Sequence, residues 1–173
     1  MFLASNIYDM ISKWLVEESF TIRRLEAPPE AKISWGLDVF TPGHPSVNFK
    51  IINPVDKQDR VLLVLGIGIS PDHKRELEKL KATERLRVIS NIVGKALAVC
   101  IDCQITVQPN MVDPQAMSIL LVLFNEEIEA YRKPYFMRLV ARVLNTYFAI
   151  ISGFNEWYPV IPDEGRKRIQ PYA

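Results

Sequence analysis

The chain is poor in cysteine and histidine, carries no excess of either charge and has no long apolar run. Each shortage removes a class of function. Two cysteines, Cys100 and Cys103, in 173 residues are too few for a secreted scaffold that depends on bridges, and they fit a reducing interior. With 21 basic against 20 acidic side chains the formal charge is +1. No global field therefore draws the chain toward phosphate backbones or anionic lipid, and neither nucleic acid nor a membrane is an expected partner. No apolar run approaches the roughly 20 residues of a membrane span. Met1 to Val16 lacks a basic leading segment and contains Asp9, so a signal peptide is not expected and the cytoplasm is the expected location. There is no internal repeat and no low-complexity segment.

What is present is a large apolar fraction, 49%, enough for one substantial core without metal or bridges. A single domain over 1–173 is expected, with an ordered body from about 5 to 158 and a tail from 159 to 173. Ile7, Met10, Ile11, Trp14 and Leu15 recur at helical spacing behind Ser5 as a candidate N-cap, which predicts an opening helix near 5–19. Thr21 to Leu25 reads as a short strand stopped by Pro28 and Pro29. Ile33, Trp35, Leu37 and Val39 alternate with small or polar residues, as do Val47, Phe49 and Ile51. These predict two antiparallel strands around the Pro42-Gly43-His44-Pro45 turn.

Val61 to Ile69 is apolar or glycine throughout, which predicts a central strand buried on both faces. Ser70-Pro71-Asp72 then offers a cap oxygen, a first-turn proline and an acid suited to the helix dipole. A helix follows with Leu77 and Leu80 inward, either continuous with a stretch through Leu86, Ile89, Ile92, Val93 and Leu97 or broken near Thr83. Cys103 to Val107 and Met117 to Phe124 predict a hairpin. After the acidic stretch Asn125 to Glu129 and a break near Pro134, the positions from Phe136 to Ile151 trace a closing helix that Gly153 would end. Trp157 and Tyr158 should anchor the start of the tail. The fold class is α+β, an antiparallel sheet of five or six strands in the order helix, strands, helix, two strands, helix.

That layout resembles the secretion-chaperone-like fold. In its residues, the Ile7 to Phe20 helix running into Thr21-Ile22-Arg23, and Val61 to Ile69 running into Ser70-Pro71-Asp72-His73, resemble an uncharacterised archaeal family of single-domain proteins over roughly 5–155. The resemblance implies geometry more than activity. Many proteins of the fold are homodimers that bind other polypeptides, and no site residue transfers position by position.

Chemical candidates are few. Cys100-Ile101-Asp102-Cys103 has the spacing of a redox or metal pair, but it lies between a helix end and a strand start, where no dipole lowers a thiol pKa. Zinc would need two further ligands, and His44 and His73 lack the spacing to supply them. Two partly buried thiols are expected, or a bridge if the source is a hyperthermophile. Gly66, Gly68 and Ser70 form a strand-to-helix turn of the kind that binds anions. A third glycine, a Gly-Lys-Ser or Gly-Lys-Thr run and a ribose-binding acid are all missing, so the glycines are expected to make room for an overlying helix. Arg138 and Arg142, one turn apart with Lys133 nearby, could hold a carboxylate or phosphate, against the plainer reading of a solvated face. Arg166-Lys167-Arg168 is a short basic patch in the tail. His44 and His73 are both expected to be exposed, and no nucleophile elbow or triad can be nominated, so neither enzyme chemistry nor a cofactor is expected.

The doubly apolar strands carry the functional expectation. Leu62, Val64 and one alternating set from Ile119 to Phe124 must be covered by the Phe154 to Pro159 segment, a helix, a second copy or a foreign polypeptide. A homodimeric protein-binding or assembly module is the leading reading. A small-molecule or nucleotide-binding protein using the Gly66–Ser70 turn is the alternative.

Overall fold

The computed structural model describes residues 3–159, with side chains from residue 7 onward. Helix α1 (Leu3–Glu17) is followed by β1 (Thr21–Arg24), a single 3-10 turn, β2 (Ile33–Phe40), β3 (Asn48–Pro54) and β4 (Arg60–Gly68). Helices α2 (Pro71–Glu78) and α3 (Ala82–Val99), strands β5 (Gln104–Gln108) and β6 (Ala116–Phe124), and helix α4 (Asn125–Trp157) follow among the described residues. The strands form one six-stranded sheet in the order β1-β2-β3-β4-β6-β5. Ser5, the candidate cap, lies outside the described side chains, as residues 160–173 lie outside the description altogether.

Two compact units are formed, each from two stretches of chain: 3–65 with 120–141, and 66–119 with 142–159. In the first, β1, β2, β3 and the first part of β4 pair antiparallel, with Leu37 opposite Ile51 and Ile51 opposite Leu63. Alternation puts Leu37, Val39, Phe49, Ile51, Leu63, Leu121 and Leu123 on one face, all fully buried. Helix α1 lies on that face. Tyr8 meets Trp35 edge-on at 5.3 Å between centroids, Phe20 meets Phe49 at 6.2 Å, and Trp14 packs on Phe136 at 5.9 Å. The β3–β4 turn is pinned by buried Asn53, whose amide donates to the carbonyls of Gln58 (3.3 Å) and Arg60 (2.7 Å). Asn125, at the exit of β6, donates to the same Gln58 carbonyl at 2.7 Å. These bonds set the register of the central strands without a metal or a bridge.

In the second unit the sheet continues antiparallel, the Ile69 amide donating to the Gln115 carbonyl and the Gln115 amide to that of Gln108. The helical stretch after β4 is broken at 79–81, close to the expected Thr83. Its outer positions Leu86 and Leu97 are 42% and 38% exposed. Gly153 does not end α4. The helix runs on to Trp157, and a Cβ on Gly153 would lie 3.1 Å from Ile92 Cγ1, so glycine is there to let α3 approach.

The break expected near Pro134 occurs two residues earlier. Helical segments 125–131 and 133–157 meet at Arg132, whose φ of 59° and ψ of −160° no helix contains. Pro134 thereby falls at the second position of the new segment, where its missing N–H costs nothing. The acidic stretch from Asn125 forms the first turn of a helix, with Glu126 and Glu127 at the positive end of its dipole. The kink is tied to α1: Lys133 Nζ reaches Glu17 at 2.9 Å and Glu18 at 2.7 Å, and Arg132 Nη1 lies 3.7 Å from Met10 Sδ.

A non-glycine residue in that region of φ and ψ stores roughly 1–3 kcal/mol. Replacing Arg132 by glycine removes this strain while adding back about 1 kcal/mol of unfolded-chain entropy. Arg132→Gly is thus expected to raise the free energy of unfolding by about 1 kcal/mol in urea titrations, and Arg132→Val to lower it.

Candidate functional site

The strand-to-helix corner after β4 is closed by its own residues. Ser70 is extended (φ −61°, ψ 150°) and caps α2, its Oγ accepting the His73 amide at 3.2 Å. The same oxygen lies 2.7 Å from His73 Nδ1, while His73 Nε2 lies 3.0 Å from the Tyr158 carbonyl oxygen. A carbonyl only accepts, so Nε2 carries the proton and Nδ1 accepts from the serine hydroxyl. Both lone-pair and proton capacity of Ser70 are thereby engaged. Gly66 and Gly68 are exposed, and a Cβ at either would meet nothing within 4 Å. They do not make room for a helix, which corrects that expectation.

His73 corrects another. It is completely buried, not exposed, and the rings of Phe154, Trp157 and Tyr158 stand 5.3, 6.4 and 6.3 Å from its own. Both nitrogens are used and neither is left for a metal. Its proximity to Tyr158 gives the aromatic end of α4 the anchor the sequence implied. Burial pushes the imidazole below its ordinary pKa, against the opposing pull of the Tyr158 carbonyl and the Asp72 charge. His44, in contrast, is exposed in its turn.

Cys100 and Cys103 are joined in a disulfide and both are buried, so the pair is a bridge and not two thiols. It closes the link between the end of α3 and β5. Ile101 in that link is 86% exposed, and Asp102 accepts from Arg142 Nη1 at 3.0 Å. The cationic candidates on α4 are each accounted for separately. Lys133 is held by Glu17 and Glu18, Arg142 by Asp102, and Arg138 is exposed on the helix surface. Among the described residues no group of three or more His, Cys, Asp or Glu converges to hold a metal ion. Arg166, Lys167 and Arg168 lie outside the described residues.

The remaining candidate is the second face of the sheet in the first unit. Val61, Leu63 and Leu65 are fully buried, whereas Leu62 and Val64 between them are only part-buried. Strand β6 repeats the pattern, with Leu120 and Val122 part-buried and Phe124 38% exposed. The expectation that β4 is buried on both faces is therefore corrected: alternation buries one row, and the unit's helices do not dry the other. Ile52, opposite Leu62, extends the row onto β3. Leu25 covers part of the far side of β2, where a Cβ on Gly36 would come within 2.8 Å of Leu25 Cδ2. The rim is charged. Arg60 stacks 4.9 Å above the Phe124 ring, Arg23 5.3 Å above Phe40, and Asp38 stands opposite Lys50.

Residues 7–154 match the family described as "Uncharacterized conserved protein (DUF2299)". The chain belongs to that family. Its fold is similar to that in the crystal structure of an uncharacterized protein from Methanothermobacter thermautotrophicus, with a TM-score of 0.75 and 20% identity, covering 88% of this chain and 99% of that one. No curated protein matches the chain. The archaeal resemblance read from the sequence agrees with these matches in fold. Of the surface row, Ile52 went unread because its strand alternates with Lys50 and Asn48 and looks conventionally one-sided.

The buried imidazole yields a pH dependence with a definite sign. A histidine whose folded pKa is depressed binds its proton more readily in the unfolded chain, so its contribution is complete above the unfolded value near 6.5 and is lost as pH falls through that value toward the folded one. Thermal unfolding from pH 7.5 to 5 is expected to show a falling Tm that His73→Gln flattens. An equal fall in the variant would assign the acid sensitivity to other groups.

Proposed function

We propose that this protein is a protein-binding or assembly module that acts as a homodimer, with the open sheet face of β3, β4 and β6 as its association surface. One observation carries the reading: Ile52, Leu62, Val64, Leu120, Val122 and Phe124 form a contiguous apolar row that the unit's own helices leave part-exposed. Scattered exposed leucines are normal, but adjacent ones on neighbouring strands, rimmed by charge, are the usual mark of an interaction surface. The rim favours a second copy. Asp38 and Lys50 place opposite signs side by side, so a face turned over onto itself can pair each with the other. The likeness to the secretion-chaperone-like layout supports polypeptide binding as the use of such a dimer, with the whole chain serving as one domain.

Light scattering coupled to size exclusion tests this directly. The protein is expected at twice its 19.9 kDa chain mass, and Leu62→Glu with Val122→Glu at the chain mass, with far-ultraviolet circular dichroism unchanged. A wild-type protein that remains monomeric at high micromolar concentration would overturn the homodimer.

A further inference from the structure

The second unit contains a groove of about 260 Å³ between α3 and the end of α4. Its floor is apolar, made by Val88 and the buried Ile92, and Gly153 lets the two helices close beneath it. The indole of Trp157 forms one wall. The polar groups are unevenly placed. On α3, Arg87, Asn91 and Lys95 follow at i, i+4 and i+8, so they share one edge of the groove. Lys95 is engaged by Glu156 from α4, which shuts that end and makes it hostile to an anion. Arg87 at the other end is exposed and has no partner among the described residues.

We infer that this groove is a binding site for a small aromatic carboxylate. Arg87 supplies a planar fork that matches a carboxylate in two hydrogen bonds, and Asn91 adds a neutral amide beside it. The ring lies over Val88 and Ile92 against the face of Trp157, where an indole offers apolar contact and stacking together. Size selects within the class. The volume of about 260 Å³ lies just below the roughly 300–1,000 Å³ of sites that hold drug-sized ligands, and a single-ring acid fills it. Charge selects as well, because the Lys95–Glu156 pair leaves Arg87 as the groove's uncompensated cation. This site shares no residue with the proposed sheet-face surface, and the inference does not rest on the homodimer.

Phenylacetate is the probe and phenylacetamide its uncharged control, titrated into the ¹⁵N-labelled full chain. The three tryptophans give three indole resonances, and Trp157→Phe identifies the one at the groove. That resonance is expected to shift saturably with phenylacetate, with a Kd on the order of millimolar, and to move little with phenylacetamide. Arg87→Ala, a substitution at an exposed position, should weaken phenylacetate by about tenfold or more, while Arg87→Lys should recover only part of the loss. The inference is overturned if the Trp157 indole does not respond, if acid and amide bind alike, or if Arg87→Ala binds as the wild type does.

Discussion

Side chains of a strand alternate between two faces, and that constraint governs the first unit. The fully buried row, from Leu37 and Ile51 through Leu63 to Leu121 and Leu123, gives α1 and the 125–141 segment a surface to cover. Without it neither the edge-on contact of Tyr8 with Trp35 nor the packing of Trp14 on Phe136 would have a floor. The same alternation forces Leu62, Val64, Leu120 and Val122 to the other side. Covering one face of a strand that carries apolar side chains on both leaves the other in want of a partner, and the proposed association surface follows from that imbalance.

Polar closure organises the second unit in a different way. The start of α2 exposes amide groups that need acceptors, and Ser70 supplies one while its hydroxyl hydrogen goes to His73. His73 Nε2–H then donates a hydrogen bond to the Tyr158 carbonyl, at the end of α4. A helix start and a helix end thus satisfy each other through one buried imidazole. The corner that looked like an anion site is occupied by this chain of bonds. Nearby, Gly153 and Ile92 bring α3 against α4, and the groove beside Trp157 exists because that approach stops at a glycine.

The order of elements was legible because each left a local mark. The Pro28-Pro29 pair marks the end of β1, the Ser-Pro-Asp run opens α2, and period-2 runs mark β2 and β3. The errors share a cause. Gly153 looks like a stop because glycine commonly ends helices, whereas its use as a contact point for Ile92 depends on a residue about sixty positions earlier. His73 looks exposed because first-turn helix positions usually face water, and only the arrival of Phe154 and Tyr158 buries it. Gly66 and Gly68 suggest an overlying helix, yet both are exposed with open space beside them. The kink at Arg132 had Pro134 as its signal, but the unusual dihedrals fall on a residue that nothing in its own chemistry marks.

Local chemistry by itself determined the α+β class, the strand periods, the capped start of α2 and the doubly apolar character of β4 and β6. These are set by neighbours within a few residues, through backbone geometry and solvent preference. Tertiary structure alone decided which row of β4 and β6 is dried, that Cys100 and Cys103 meet in a bridge, where the imidazole of His73 sends its two bonds, and that Arg87 and Trp157 share a groove. Each of those requires segments distant along the chain to be brought together, and a period or a cap carries no information about distance between segments.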